Sequence, residues 1–368
     1  MSTPGVQRIA VIGSGIAGAA CAHALARAGH AVHIFDKARG PGGRLATRRM
    51  AWVHADGQSD MTRLDHGCLG IAAQSAAFQA FVAQAVRAGW LAEWTPELAP
   101  GSVPLELGGS LHVPVPDMPE LCRRLLQGVA ATFSCAVDRL HRNPFGWQVE
   151  AAGQRQGAAF DAVVLALPPA QAAPLLGPHR SDWARYAALA PMQPCWTLMG
   201  VASTAETGAA PGWRLARPPG GPLAWVLRSD ARPGRAQVPG QAHWAAHARP
   251  GWSRQHLERP PAWVQQQLQA ALANVVERPV DWLQATVHRW RYALPQARRS
   301  QAGDSFWWDA GQGLGVCGDF LGGSGVEGAW TSGQSLSAAL LGDLGAAPPS
   351  PSGLPAVQQL HRPQEASL

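Results

Sequence analysis

Lysine is almost missing from this chain: Lys37 is the only one in 368 residues. Positive charge is carried by arginines that stand singly or in pairs, so a net charge of +6 and a pI of about 9.4 arise without a basic cluster. A nucleic-acid surface needs such a cluster, and the balance reads as a solvated basic exterior with no nucleic-acid partner. No apolar stretch is long enough to span a bilayer, which excludes a membrane-spanning helix. The six cysteines (Cys21, Cys68, Cys122, Cys135, Cys195, Cys317) form no CxxC pair and show no ligand spacing. They speak against a metal centre or a disulfide framework and for reduced thiols in a cytoplasmic protein. Tyrosine is scarce as well, at Tyr186 and Tyr292 alone, against sixteen tryptophans.

What the chain does have is concentrated first between Arg8 and Arg44. Ile9–Ile12 is a short apolar strand, and Gly13-Ser14-Gly15-Ile16-Ala17-Gly18 follows it directly. Ile16–Ala28 is Ala-rich and free of proline, so it favours helix up to Gly29. Ala31–Phe35 is a second strand that ends on Asp36. Strand, GxGxxG turn, helix, strand and acid make a dinucleotide-binding βαβ unit. Gly13 makes the turn, Gly15 lets backbone approach a pyrophosphate, and Gly18 allows helix and strand to pack. The helix start at Ile16 and Ala17 offers unpaired N–H groups to phosphate. Asp36 is placed to accept from an adenosine ribose hydroxyl, with Lys37 beside it. Gly42 and Gly43 permit close approach, and the guanidinium of Arg44 suits phosphate oxygens. Three glycines within the apolar stretch, and the strand ending in an acid, argue against a secretory signal.

Further along, Leu64-Asp65-His66-Gly67 ends a strand, and Ser75 caps a helix with an apolar stripe of Phe78, Phe81, Val82, Ala85 and Val86. Asp117-Met118-Pro119-Glu120 opens another helix with a pair of acids in a capping-box pattern, and Gly128 closes it. Strands are expected at Thr132–Arg142, Trp147–Ala151 and Phe160–Leu167, the last apolar throughout, as in a sheet covered on both faces. From Trp183 to Asp281 the composition shifts to Trp, Pro and Gly, with strand-like pieces at Cys195–Val201, Leu223–Leu227 and Ala242–Ala248 and a helix at Ala262–Val276. Gly313–Gly318 is a strand carrying Asp319 at its carboxyl end, before a Gly-rich segment and a helix from about Glu327 to Leu341. That juxtaposition suits a flavin: the carboxylate meets a ribityl hydroxyl, and the helix dipole favours negative charge on the reduced ring.

The segments VIGSGIAGAACAHAL, GPGGRLATRR, LDHG, FDAVVLALP, HRWRYALP and CGDFLGGSGVEGAWTSG together resemble the renalase-like group of the flavin amine oxidase superfamily, over nearly all of the chain before residue 346. The resemblance implies an α/β fold: a Rossmann-type FAD-binding domain with an inserted mixed or antiparallel-sheet substrate domain, and FAD held without a covalent bond. It implies that Gly13, Gly15, Gly18, Gly43 and Arg44 hold the pyrophosphate, with Ile16 and Ala17 at the helix start. Asp36 and Lys37 would lie at the adenosine ribose, Val137 at the adenine and Asp319 at the ribityl chain. Gly325, Val326 and Glu327 would lie beside the flavin ring. Bacterial members oxidise misreduced dihydronicotinamide isomers and pass the electrons to oxygen. The chain departs from the group after LDHG, where an aromatic pair (GAQYFT-like) is replaced by Gly67-Cys68-Leu69-Gly70-Ile71-Ala72. This change leaves FAD binding untouched and bears on the substrate side.

His288-Arg289-Trp290-Arg291-Tyr292 is the candidate pocket wall; period two puts His288, Trp290 and Tyr292 on one face and Arg289 and Arg291 on the other. Trp290 suits a planar ring, and an arginine such as Arg291 suits a phosphate or carboxylate. Residues 1–72, 108–180 and 285–345 are assigned to the FAD domain, 73–107 and 181–284 to the substrate domain, and 346–368 to a disordered tail. The function expected is an FAD-dependent oxidase of dihydronicotinamide substrates, with small molecules as partners. The alternatives are oxidation of another small molecule, or flavin binding without turnover.

Overall fold

A computed structural model describes residues 5–53, 58–105, 110–204, 211–296 and 305–344. The expected tail 346–368 and the boundary expected at 107/108 lie outside the described residues.

The N-terminal pattern produces the centre of a six-stranded sheet. Its order is Phe306–Asp309, Leu314–Cys317, Ala162–Leu165, Arg8–Ile12, Ala31–Phe35 and Ala130–Thr132. All neighbours are parallel except the Phe306–Asp309 edge. Ala162–Leu165 and Leu314–Cys317 are buried at every position, because helices or further strands cover both faces. One face packs Ile9 and Val11 against helices Ile16–Arg27, Ala76–Arg87, Glu120–Leu125 and Gly325–Asp343. The other packs Ala10 and Ile12 against helices Pro169–Leu176 and Ser181–Leu189 and a three-stranded meander that includes Val137–Asn143 and Gly146–Ala151.

A second sheet is antiparallel and five-stranded. Its order is Leu215–Ala216, Leu223–Arg228, Gln241–Ala248, Met192–Ser203 and Asp281–Pro295. Its outer face buries Trp196, Leu198, Val226, Trp244 and Ala246 against Val264, Leu268 and Leu272 of helix Pro261–Val276. Its inner face, through Met199, meets Met50 and Leu64 of the hairpin Thr47–Val53/Ser59–Asp65. The fold is thus mixed α/β, with a Rossmann half and an antiparallel half.

Five local expectations meet a different arrangement in the structure. The single strand Thr132–Arg142 is two, because Ser134 takes a φ of 55° between Ala130–Thr132 and Val137–Asn143 and carries the chain from one sheet to the other. Asp117 starts no capping box: its carboxylate takes Arg63 and Arg123, and the helix spans only Glu120–Leu125. Val86 lies outside the apolar stripe and is exposed. Helix Ala76–Arg87, expected in the substrate domain, sinks Phe78 and Phe81 against Trp330 in the Rossmann core. The expected boundary at 284/285 falls inside Asp281–Pro295, which pairs with Met192–Ser203 from one end to the other.

Candidate active site

At the first turn, Gly13 takes a φ of +108° and donates its N–H to the Phe35 carbonyl (2.8 Å). A Cβ on Gly18 would lie 2.0 Å from the Gly13 carbonyl oxygen, so only glycine lets the helix sit this close to the strand. Gly15 differs: a Cβ there would meet nothing nearer than Gly43 Cα at 4.0 Å. Its glycine is therefore not required by the protein's own packing, and the room lies at the N-terminus of Ile16–Arg27, where the first N–H groups lack intrahelical partners. Ser14 donates both its N–H and its hydroxyl to Asp36 Oδ2 (2.7 and 2.5 Å), and Ala38 N–H donates to Oδ1 (2.8 Å). Asp36 thereby ties the glycine loop to the end of the second strand. Lys37 is exposed and donates to Gln171 Oε1 (3.1 Å). Val137 opens the meander two residues after Cys135, whose N–H donates to the Asp36 carbonyl (2.9 Å).

Arg44 and Asp319, assigned from the sequence to different parts of one cofactor, are joined directly. The guanidinium donates to both carboxylate oxygens (2.7 and 2.6 Å), and Asp319 is 3% exposed. Burial works to lower the pKa of Arg44, but the Asp319 carboxylate outweighs it and the net shift is upward. The same guanidinium donates to the Ala293 carbonyl of Asp281–Pro295 (2.9 Å), and the Arg44 carbonyl accepts from Cys68 N–H (2.9 Å). Arg44, next to Gly43 in the second glycine turn, thus meets Asp319, Cys68 just after the LDHG segment, and the antiparallel sheet. Gly325 opens its helix with a φ of +84°, and Val326 packs on the Rossmann core. Glu327 turns to the start of Ala76–Arg87, accepting from Gln74 and Ser75 N–H (2.7 and 2.8 Å). Burial would raise the Glu327 pKa; hydrogen bonds from Ser75 and Gln74 reverse that and hold it low.

The inner face of the antiparallel sheet carries an aromatic and imidazole cluster. His66 stacks on Trp290 (5.3 Å between centroids) and meets His288 edge-on (4.9 Å), while His288 and Trp290 meet at 4.3 Å. Trp290 Nε1–H donates to the His66 carbonyl (3.1 Å). Register aligns His247 and His288 on either side of Thr197, so three strands present them in one row. Burial, with the charge of Arg48 and the neighbouring imidazoles, pushes His66 down to about 3, and burial pushes His247 down to about 4. His288 is lowered by burial and by Arg48. The rings are neutral near pH 7. Beneath them, buried Asp65 accepts from Arg232 (2.9 Å), Arg235 (2.9 and 2.7 Å) and Thr47 (2.5 Å). Burial would raise the Asp65 pKa, but the two arginines bring it below the usual range.

Arg291 does not share this face. Its guanidinium is exposed and paired with Glu258 (2.5 and 3.0 Å), which also takes Arg289. His66, His247, Thr197, Arg232 and Arg235 had no role in the sequence reading. The motif LDHG holds the signal for His66, whereas His247 meets His288 only through strand order.

The set fits a dinucleotide: an open glycine cradle at a helix N-terminus, an acid at the second strand end, and a buried carboxylate beside the second helix. Among the described residues no group of three metal-ligating side chains occurs, and no helix is long and apolar enough to cross a membrane.

Comparison with known proteins agrees with this fold. Residues 11–85 match the NAD(P)-binding Rossmann-like domain family. The chain is 31% identical over 210 residues to the tRNA 5-methylaminomethyl-2-thiouridine biosynthesis bifunctional protein MnmC of Magnetococcus marinus; the match covers 47% of this chain and 31% of that protein. The chain therefore spans about a third of that relative's length. In three dimensions it resembles cyclohexylamine oxidase from Brevibacterium oxydans (TM-score 0.64, 13% identity, 93% of this chain and 100% of that one). It also resembles putrescine oxidase bound to putrescine (TM-score 0.60, 13% identity, 91% and 99% coverage). An oxidoreductase from Methanosarcina mazei is similar over 89% of this chain and 99% of that one (TM-score 0.60, 15% identity). The fold is shared with these oxidases: a Rossmann half joined to an antiparallel sheet.

Proposed function

We propose that this protein is an FAD-dependent oxidoreductase whose substrates are small planar hydride donors, dihydronicotinamide forms of NAD(P) foremost, with oxygen as the final acceptor. The observation that carries the reading is Arg44, which links the glycine turn and Asp319 to the strand bearing Trp290. Gly15, Gly43 and the helix start at Ile16 and Ala17 would hold the pyrophosphate, Asp36 the adenosine ribose, Val137 the adenine and Asp319 the ribityl chain. Bound there, FAD supplies a two-electron acceptor that takes hydride at N5. Attachment is non-covalent: Cys68 lies beside Arg44, its N–H donating to the Arg44 carbonyl, and burial raises its pKa, so its thiol stays protonated and a poor nucleophile.

The chain's part in the reaction is orientation. Trp290 and the neutral rings of His66 and His288 form a weakly polar aromatic wall, with His66 stacked on Trp290 and His288 edge-on to both. They stand in for the aromatic pair missing after Gly67, since Ile71 is buried and paired with His112 instead. A dihydronicotinamide needs no side-chain base, because its hydride is already activated and stacking sets its geometry. The sole lysine, Lys37, is bonded to Gln171 next to Asp36 and takes no part at this wall.

Anaerobic mixing tests the proposal. Isomeric 2- or 6-dihydronicotinamide donors should bleach the flavin faster than any simple amine. Rapid bleaching by an amine such as putrescine, with none by those donors, overturns the substrate reading.

A further inference from the structure

The sequence reading gave an anion-recognition role to an arginine of the strand Asp281–Pro295. That role is vacant, because Arg289 and Arg291 both serve Glu258 on the outer side. The other arginines near the wall are committed too, Arg44 to Asp319 and both Arg232 and Arg235 to Asp65. Arg48 is not. Its guanidinium is exposed and has no ion-pair partner among the described residues.

The hairpin register sets where Arg48 sits. Arg48 pairs with Leu64 and Met50 pairs with Thr62, so these four residues share one hairpin face. Met50 and Leu64 are buried against Met199, and the Thr62 hydroxyl lies 3.2 Å from His243 Nδ1, both on the antiparallel sheet. That hairpin face is therefore the one turned to the sheet's inner side. Met199 aligns with Thr286, two residues before His288 on the same strand face. Arg48 thus stands at the edge of the wall formed by His66, His288 and Trp290, and its charge helps keep both imidazoles neutral after burial. His66 Nδ1, within this wall, is buried without a hydrogen-bond partner among the described residues.

We propose that Arg48 is the specificity-determining residue of this site, and that the substrate is a planar donor carrying a phosphate or carboxylate which Arg48 receives. An exposed fork beside a weakly polar aromatic wall recognises that combination: a planar ring packs on the wall and the anion takes two N–H donors. The inference rests on the reading that this wall receives a substrate, yet it is tested without turnover.

Isothermal calorimetry on the purified holoprotein is run with benzoate, phenyl phosphate and the neutral benzamide. Wild type should bind at least one of the two anions roughly tenfold or more tighter than benzamide, and the better anion distinguishes carboxylate from phosphate. Arg48→Gln should erase that preference while leaving benzamide binding unchanged. Arg49→Gln removes the same charge from the opposite hairpin face and should preserve it. Equal binding of all three probes, no binding of any, or a preference that survives Arg48→Gln or is lost equally in Arg49→Gln overturns the proposal. Colourless protein refutes the flavin reading instead, and calorimetry still decides the role of Arg48.

Discussion

Arg44 and Asp319, 275 residues apart, meet through two hydrogen bonds of 2.7 and 2.6 Å. The pair joins the Gly42-Gly43 turn to the start of the short helix Asp319–Gly322, and Arg44 is 33% exposed in its side chain while Asp319 is 3%. Asp319→Ala would strip a partly buried guanidinium of its anion, at a loss on the order of 3 kcal/mol before any effect on a ligand. Asp319→Ala should both lower the urea midpoint and weaken FAD retention. A correctly folded variant that retains FAD with wild-type affinity would show that Asp319 is misassigned.

The glycines of the first turn separate packing from binding. Gly18→Ala places a methyl 2.0 Å from a carbonyl oxygen, so the variant should be strongly destabilised whether or not a ligand is present. Gly15→Ala meets only Gly43 Cα at 4.0 Å, so the flavin-free protein should unfold at an unchanged temperature. Its FAD affinity should fall by at least tenfold, because the methyl occupies the approach to the pyrophosphate. Equal loss of apo-protein stability in the two variants would mean that Gly15 serves packing alone.

The buried imidazole predicts an acid limb. The pKa of His66 is lowered from 6.5 to about 3, so below pH 6.5 the unfolded chain takes up a proton that the folded one refuses. Its contribution to stability is complete above pH 6.5 and declines as pH falls toward 3, by roughly 1 kcal/mol per pH unit. Urea unfolding between about pH 7 and pH 5, above the carboxylate range, should show this slope added to that of the other buried imidazoles such as His247, and His66→Gln should make the total shallower by about that amount. A slope unchanged in His66→Gln would place the proton uptake elsewhere.

The Rossmann half was legible because its signals are local. Gly13, Gly15, Gly18 and Asp36 lie within one βαβ unit, and the turn and strand end they specify are the ones that form. The aromatic wall was half legible. Period two placed His288 and Trp290 together, but whether Arg291 met a ligand or Glu258 depended on the loop after helix Pro250–Gln255. His247, Thr197 and His288 align through the pairing of three strands, and His66 reaches them from the end of the hairpin strand Ser59–Asp65, an arrangement that the residues of each strand alone do not encode. Ser134 shows the same limit in miniature: a continuous strand pattern is broken by one residue at positive φ because the chain must leave one sheet for another.

Flavin content tests the central claim most directly. The purified protein should be yellow, and heat or acid should release FAD in proportion to the chain, leaving the denatured protein colourless. A colourless protein that takes up no FAD on reconstitution would contradict the account.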